Sequence, residues 1–438
     1  MICRALLNRT KSMKKLYTLL VFNLALVTFS VAQVPTITNF TPASGPVGTN
    51  VTITGTNFSA TPANNIVFFG ATRATVTAAT TTSLTVTVPV GATYQPITVL
   101  TNGLLAYSRQ PFVVTFIGVP GIDATSFAAK TDFTTGSSPF SVSIGDLDGD
   151  GKADLAVANR GSATVSVFRN TGSAGSISYA AKQDFTTGTQ PLSVSIGDLD
   201  GDGKADLAVA NWGSNTVSVF RNTGSAGSIS YAAKMDFTTG TAPISVSIGD
   251  LDGDGKADLA VANYSSNTVS VFRNTGSPGS INYAAKMDFT TGTGPYSVSI
   301  GDLDGDGKAD LAVANYGSNT VSVFRNTSFA GSISYAAKAD FTTGLEPFSV
   351  SIGDLDGDGK ADLAVANGGS NTVSVFRNTG SAGIISYAAK VDFLTGSNPQ
   401  SVSIGDLDGD GKADLAVANF NSSTVSVFRN TGSVAALT

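Results

Sequence analysis

The chain has 438 residues, 42% hydrophobic and 13% charged, which is enough for a packed core in two or three domains and excludes wholesale disorder. The net charge of −6 argues against nucleic-acid binding, which needs a basic face. The chain contains no histidine, one cysteine (Cys3) and one glutamate (Glu346). Ser-His-Asp and Cys-His sites, thiolate or imidazole zinc sites and paired-glutamate hydrolases are therefore excluded, although paired aspartates remain possible. We expect the protein not to be an enzyme.

The N-terminus is typical of a secretory signal peptide. Residues 13–32, MKKLYTLLVFNLALVTFSVA, place two lysines before an apolar core. Small residues Ser30 and Ala32 stand at the −3 and −1 positions of a cleavage site. We assign 1–32 to the signal peptide, with Met13 as the start of translation. An uncleaved anchor helix is the alternative, but the apolar core is short for a full span. Export would leave a secreted or cell-surface protein that has no cysteine and no membrane span.

Residues 33–117 are predicted to form an antiparallel β-sandwich. Short β-rich runs such as Val51–Thr54 and Ser83–Val88 alternate with turn residues, and helical periodicity is absent. The string ITNFTPASGPVGTNVTITGTNFS at 37–59 resembles the opening of the IPT/TIG domain, the immunoglobulin-like fold of plexins and transcription factors. The resemblance implies a spacer or adhesive unit without a catalytic site. We assign 118–125 to a linker.

Residues 126–438 consist of six repeats with a period of 52 residues. The string GDLDGDGKADLAVAN recurs unchanged, with its first aspartate at 146, 198, 250, 302, 354 and 406. A strict period of this length indicates a modular array. Each unit contains four strand-like runs, which predicts one propeller blade. The predicted fold class is therefore all-β, a six-bladed β-propeller with four-stranded blades preceded by an immunoglobulin-like β-sandwich.

The two ends of the array predict how the ring closes. A fourth-strand sequence, FAAKTDF at 127–133, precedes the first motif, whereas the last unit stops after SVFRNTG without one. We expect the N-terminal copy to complete the last blade and cover its open edge. A seventh blade beyond Thr438 is the alternative.

The invariant loop has the spacing of a calcium-binding loop. In DLDGDGKAD, carboxylates occupy positions 1, 3, 5 and 9, glycine at position 6 permits a sharp turn, and the carbonyl at position 7 adds a ligand. Carboxylates this close repel one another unless a cation neutralises them, and Mg²⁺ prefers fewer protein ligands. We predict one Ca²⁺ per repeat, six in all. The predicted ligands are Asp146, Asp148, Asp150, Lys152, Asp154, Asp198, Asp200, Asp202, Lys204, Asp206, Asp250, Asp252, Asp254, Lys256, Asp258, Asp302, Asp304, Asp306, Lys308, Asp310, Asp354, Asp356, Asp358, Lys360, Asp362, Asp406, Asp408, Asp410, Lys412 and Asp414, each lysine through its carbonyl.

This loop between two strands of a blade resembles the FG-GAP repeat of integrin α-subunits and the related VCBS repeat of bacterial exoproteins. The resemblance covers the six repeats, although the letters FG and GAP themselves do not appear in them. It implies a calcium-binding β-propeller with a role in extracellular binding or adhesion.

The repeats differ from one another mainly in two loops. The residue after each VAN varies, as does the residue after each proline that enters a first strand. In an up-and-down blade both loops emerge on the face opposite the calcium loops. Aromatic rings on a polar rim suit sugars or protein partners, so we predict a ligand face there; tolerated drift in loops is the alternative. The ligand face is assigned to Trp212, Tyr264, Tyr316 and Phe420.

Together these features predict a secreted calcium-binding propeller that acts as an extracellular binding or adhesion module for a carbohydrate or protein. The alternative is a structural spacer or scaffold of a cell-surface or exoprotein assembly, without a ligand of its own.

Overall fold

The structure is a computed structural model that describes residues 33–115, 128–173 and 176–432. Over these residues every element is a β-strand except one 3-10 turn at Pro62–Asn64. The predicted signal peptide at 1–32 and the predicted linker at 118–125 lie outside the described residues. The sandwich and the propeller belong to one compact unit that begins at Val34.

The N-terminal region is a β-sandwich built from alternating sequences. Its main sheet has the order β1-β3-β6-β5-β4-β7-β8, and β2 pairs with β9. The first half of β5 pairs with β4 and its second half with β6, so the chain folds into two layers. Every second residue of β3 is buried, and the core holds Ile53, Phe69 and Phe112. The strands are β1 (Thr36–Thr41), β2 (Ser44–Gly45), β3 (Asn50–Thr56), β4 (Asn65–Phe69), β5 (Thr72–Ala79), β6 (Ser83–Thr87), β7 (Pro96–Thr101), β8 (Leu104–Pro111) and β9 (Val113–Val114).

The repeats form six blades, so the predicted fold class is confirmed. Five blades have four antiparallel strands in sequence order, and the first strands of successive blades adjoin one another around the centre. The strands are β10 (Pro139–Gly145), β11 (Asp154–Asn159), β12 (Thr164–Phe168) and β13 (Gln183–Thr186) in blade 1; β14 (Pro191–Gly197), β15 (Asp206–Asn211), β16 (Thr216–Phe220) and β17 (Met235–Thr238) in blade 2; β18 (Pro243–Gly249), β19 (Asp258–Asn263), β20 (Thr268–Phe272) and β21 (Met287–Thr290) in blade 3; β22 (Pro295–Gly301), β23 (Asp310–Asn315), β24 (Thr320–Phe324) and β25 (Ala339–Thr342) in blade 4; β26 (Pro347–Gly353), β27 (Asp362–Asn367), β28 (Thr372–Phe376) and β29 (Val391–Leu394) in blade 5; and β30 (Pro399–Gly405), β31 (Asp414–Asn419) and β32 (Thr424–Phe428) in blade 6.

Alternation of small and bulky residues explains how the blades stack. Between blades 1 and 2, Ala156 and Val165 of the first blade share a core with Val194, Leu207 and Val209 of the second. The small side chains on one face leave room for the branched side chains of the neighbour, so both faces of a blade are buried. A period of 52 residues repeats this contact from blade to blade.

The predicted closure of the ring is wrong for this structure. Within the described residues blade 6 has three strands, and the described part of FAAKTDF, residues 128–133, forms no strand and does not pair with β32. Phe133 instead packs against Phe168 and Tyr179 of blade 1, at ring-centroid distances of 6.4 and 5.0 Å. Its counterpart in the next repeat, Phe185, makes the same contacts with blade 2. The segment is thus held on blade 1, and among the described residues no fourth strand pairs with β32 of blade 6.

Candidate metal centres and ligand face

The invariant loop predicted to bind calcium, called the metal loop below, connects the innermost strand of each blade to the second strand. In blade 1 the loop runs from Asp146, directly after β10, to Ala153, directly before β11. Gly149 and Gly151 adopt φ angles of 74° and 86°, a left-handed conformation in which a Cβ atom is strained. The DGDG string therefore allows the chain to turn twice within a few residues and to fold around its own carboxylates.

Backbone amides hold the first and ninth carboxylates of the loop in place. Asp146 Oδ1 accepts from the N–H of Gly149 at 2.8 Å, and its Oδ2 accepts from the N–H of Gly151 at 2.9 Å. Asp154 Oδ2 accepts from the N–H of Leu147 at 2.8 Å, and its Oδ1 accepts from the N–H of Asn170 at 2.7 Å. The loop of blade 6 is built in the same way, because Asp406 accepts from the corresponding glycines. The first and ninth carboxylates are thus positioned by backbone N–H groups of the loop and of the adjoining FRN string.

The structure brings three carboxylates together in each of the first five loops, with one oxygen from each residue within 4.8 Å of the others. Positions 1 and 3 take part every time, and the third member is position 9 in three loops and position 5 in two. Such a cluster of oxygens can hold a metal ion. The clusters are Asp146, Asp148 and Asp154; Asp198, Asp200 and Asp206; Asp250, Asp252 and Asp254; Asp302, Asp304 and Asp306; and Asp354, Asp356 and Asp362.

Burial makes these carboxylates costly to ionise without a cation. It raises the pKa of Asp154 and of Asp198 to about 7, and that of Asp206 well above its usual value of 3.8. Among the described residues, one oxygen of the third-position aspartate is also buried without a hydrogen-bond donor in four loops. Buried acceptors that lack donors fit a bound cation. The four oxygens are Oδ2 of Asp200, Asp304, Asp356 and Asp408.

Two residues of the invariant FRN string also belong to the site, although the loop spacing alone does not predict them. Arg221 Nη1 lies 3.7 Å from Asp200 Oδ2 and neutralises part of the cluster's charge. Asn222 donates from its backbone to Asp206 at 2.6 Å and from its side chain to the carbonyl of Leu147, in the metal loop of the preceding blade, at 2.7 Å. The sequence feature that could identify them as site residues is the recurrence of FRN in all six repeats. Each metal loop is therefore tied to the contact between two blades.

The sandwich packs directly onto the metal loops. The carbonyl of Ala71 accepts from the N–H of Asp146 at 2.9 Å, and Leu105 donates its N–H to the carbonyl of Gly255 in the third loop. Arg109 Nε lies 3.5 Å from Asp302 Oδ2 in the fourth loop. Burial, followed by the nearby Asp354 carboxylate, raises the pKa of the Tyr94 phenol. A cavity of about 850 Å³ lies between the sandwich and the inner strands of the propeller. The sequence offers no local pattern that predicts this docking.

Aromatic rings cluster at the opposite end of the blades. Tyr264 lies 5.4 Å from Trp212 and 6.3 Å from Tyr316, measured between ring centroids. Tyr296 and Phe348, which occupy the other variable position at the start of β22 and β26, extend the cluster, with their centroids 4.8 Å apart. We call these five residues the aromatic cluster. The structure thus brings together three of the four residues predicted for the ligand face. Phe420, the fourth, is exposed on blade 6 and contacts no ring of the cluster.

Comparison with known families agrees with the loop geometry. Residues 146–209, 198–261, 251–313, 302–365 and 354–417 match the model of the FG-GAP-like repeat. The chain belongs to the FG-GAP-like repeat family. Residues 35–114 match the IPT/TIG domain, so both predicted resemblances are confirmed.

No curated protein matches this FG-GAP-like chain in sequence. Among solved structures it is similar to an auxiliary nutrient binding protein of Bacteroides ovatus ATCC 8483, with 13% identity, coverage of 90% of this chain and 97% of that chain, and a TM-score of 0.41. A putative 6-phosphogluconolactonase of Bacteroides fragilis NCTC 9343 shows 14% identity, coverage of 85% and 98%, and a TM-score of 0.45. In the part of the FG-GAP-like chain that the structure describes, no helix is long and apolar enough to span a bilayer.

Proposed function

We propose that this FG-GAP-like protein is an exported, calcium-loaded binding module that holds a carbohydrate or protein ligand on the aromatic cluster. The observation that carries the proposal is the contrast between two faces. One face repeats its metal loops without change, whereas the opposite face gathers five large rings from positions that vary between repeats. A face that varies while the scaffold beneath it stays constant is typical of a recognition surface on a rigid fold.

Calcium is the cation that best suits the loops. The donor set is made of carboxylates and a carbonyl at alternate positions, which are hard oxygen ligands of the kind that Ca²⁺ binds in loops. Extracellular sites of this kind bind Ca²⁺ at about 10⁻⁴–10⁻³ M, which matches the millimolar calcium outside cells. Calcium would then neutralise the buried carboxylates and lock each blade to its neighbour through the FRN string.

The aromatic cluster has the chemistry of a binding platform. Trp212, Tyr264 and Tyr296 are half-buried and pack against a buried core that includes Leu192 and Ile244. Rings held in this way offer flat apolar surface at little entropic cost, and tyrosine hydroxyls supply polar contacts. We therefore assign recognition to the cluster and propose no catalytic role, because 24 of the 32 acidic residues lie in the metal loops.

A screen of glycans and extracellular-matrix proteins, in calcium, tests this function. The variant Trp212→Ala/Tyr264→Ala/Tyr316→Ala should lose binding to any ligand that the parent retains, while calcium binding is unchanged. Phe329→Ala is the matched control, because it removes an exposed ring from a hairpin outside the cluster. Normal binding by the triple variant would contradict the assignment.

A spacer or scaffold without a ligand is the second candidate. It is favoured by the way in which the rings pack on one another and on the core, since such packing also serves stability alone. A spacer predicts that the triple variant loses thermal stability while the parent binds nothing in the screen. A binding module predicts specific binding by the parent that the triple variant loses.

A further inference from the structure

Two charged residues of the propeller stand outside the repeat pattern. Within residues 126–438, every other charged residue recurs six times at the same repeat position, in the metal loops, the FRN string or the AAK and DF strings. Arg160 and Glu346 occur once each, and both stand at positions that vary between repeats. Arg160 follows the first VAN string, and Glu346 precedes the proline that begins β26. Five blades fold without each of these charges, so neither charge is needed to build a blade.

Arg160 occupies the place in blade 1 that Trp212 occupies in blade 2. The backbone N–H of Arg160 donates to the carbonyl of Ser138 at 2.9 Å, and the N–H of Trp212 makes the same bond in blade 2 at 3.0 Å. Side chains at this position meet between neighbouring blades, since Trp212 lies 5.4 Å from Tyr264. Burial raises the pKa of the Tyr296 phenol, and the positive charge of Arg160 lowers it in part. The guanidinium therefore lies beside the aromatic cluster.

Glu346 places a carboxylate at the end of the cluster marked by Tyr316. Its N–H donates to Asn319 Oδ1 of blade 4 at 2.8 Å, and its carbonyl accepts from the N–H of Gly368 of blade 5 at 2.9 Å. Its side chain lies along the turn of blade 5, because a Cβ atom at Gly369 would meet the Glu346 Cγ at 3.1 Å. Burial, followed by the neighbouring Glu346 carboxylate, raises the pKa of the Tyr316 phenol. The carboxylate thus faces the rings.

Neither charge is neutralised within the part of the chain that the structure describes. Arg160 and Glu346 are both exposed, and neither belongs to an ion pair there. A guanidinium presents N–H donors in a planar fork that matches a carboxylate or a sulfate. An ionised carboxylate accepts hydrogen bonds from hydroxyl groups. The cluster therefore suits a ligand that carries an anionic group and hydroxyl groups.

Two glycines at the variable positions let the rings lie against the backbone. A Cβ atom at Gly294 would meet Tyr264 Cε2 at 3.2 Å, and one at Gly368 would meet Phe348 Cε2 at 2.4 Å. The rings are tilted against one another, by 41° between Trp212 and Tyr264. Tilted rings with hydroxyl groups at their edges suit a pyranose, which has an apolar C–H face and a rim of hydroxyl groups.

We infer that the aromatic cluster binds an acidic glycan, whose sugar rings stack on the cluster and whose carboxylate or sulfate pairs with Arg160. Glu346 accepts from the sugar hydroxyl groups. The inference rests on the proposed function and narrows its ligand to one chemical class. An acidic peptide would also pair with Arg160, but it offers carboxylates and no hydroxyl groups to Glu346. The glycan uses both charges and the rings between them.

An array of paired oligosaccharides, probed in calcium, tests the inference. The probes are galacturonate, alginate and glucuronoxylan oligomers, each beside its methyl ester, carrageenan oligomers beside their desulfated forms, and oligoglutamate as an acidic peptide. We expect the protein to bind an acidic probe about tenfold more tightly than its neutral partner, as for a hydrogen bond between charged groups. Arg160→Gln should lower the affinity for the acidic probe to that of the neutral partner and leave the neutral affinity unchanged. Arg160→Lys should keep part of the preference, because it keeps the charge without the fork.

Two further variants separate this inference from the proposed function. Arg73→Gln removes the same charge from an exposed position of the sandwich and should change neither affinity. The variant Trp212→Ala/Tyr264→Ala/Tyr316→Ala should lose acidic and neutral probes alike, and its normal binding would contradict both the proposed function and the inference. If this triple variant loses binding while Arg160→Gln keeps the preference for acid, the site stands and the inference is wrong. A parent that shows no preference for acidic probes, or that binds oligoglutamate as tightly, also overturns the inference.

Discussion

A substitution that removes one buried carboxylate oxygen from a metal loop distinguishes two contributions to the free energy of unfolding. One is the destabilisation by ionised, buried carboxylates in the metal-free protein, and the other is the stabilisation by bound calcium. Asp200 Oδ1 accepts from the N–H of Asp202 at 3.1 Å, whereas its Oδ2 is buried without a donor. Asp200→Asn keeps the first oxygen and replaces the second by an amide nitrogen that carries no charge. The variant thus removes a metal ligand with almost no change in shape.

The two contributions to the free energy of unfolding have opposite signs, and the structure limits the size of the first. Burial raises the pKa of Asp200 from 3.8 to about 6, so ionising it at pH 7 costs at most about 3 kcal/mol in chelator, a cost that asparagine avoids. Each bound calcium adds about 1.4 to 2.7 kcal/mol at ten- to hundredfold saturation. The chelated variant should therefore be at least as stable as the chelated parent. Its gain in stability on adding calcium should be smaller by the contribution of one site.

Differential scanning calorimetry with calcium and with chelator measures this gain, and isothermal titration calorimetry should count one calcium fewer. Asp236→Asn is the matched control, because Asp236 lies on the exposed outer strand of the same blade, where it accepts from Ser218. It should leave the calcium-dependent gain unchanged. The reasoning would be refuted by an Asp200→Asn variant that is less stable in chelator and shows the full gain in calcium.

Three further predictions concern pH, domain docking and processing. In chelator, burial raises the folded-state pKa of carboxylates such as Asp154 to about 7, against 3.8 in the unfolded chain, so the native state binds more protons. The free energy of unfolding should therefore fall as the pH rises from about 4 to 7. Denaturant midpoints measure this trend, and calcium should reverse it. Chelation should speed hydrogen exchange at the amide of Leu105, which donates to a metal loop, more than at the amide of Ile53 in the sandwich core. An equal change in exchange rate at both amides would contradict coupling between the loops and the sandwich. The exported protein should begin at Gln33, and an intact mass that retains residues 13–32 would disprove cleavage there.

The repeated architecture could be predicted from the sequence because its determinants are local. Each blade is specified within 52 residues by alternating small and bulky side chains, and each metal loop within nine residues by aspartates at alternate positions and glycines that permit left-handed turns. The four strands of the complete blades and the carboxylate clusters follow from these short-range patterns, which the six copies repeat.

Tertiary structure decided what depends on contacts between distant parts of the chain. The sandwich sits on the metal loops through Ala71, Leu105 and Arg109, none of which stands out in the sequence. The aromatic cluster joins side chains at two variable repeat positions from several blades and does not include Phe420, although Phe420 occupies the same repeat position as Trp212.

The last blade is the clearest case in which a contact between distant parts of the chain could not be predicted from the sequence. The sequence contains a spare fourth strand and a blade that lacks one, which predicts that they pair. Whether they do so depends on the accumulated angle of five blade-to-blade steps and on the domain that spans them. Near-identical repeats carry no information about which copy meets which, so that choice belongs to the geometry of the whole molecule.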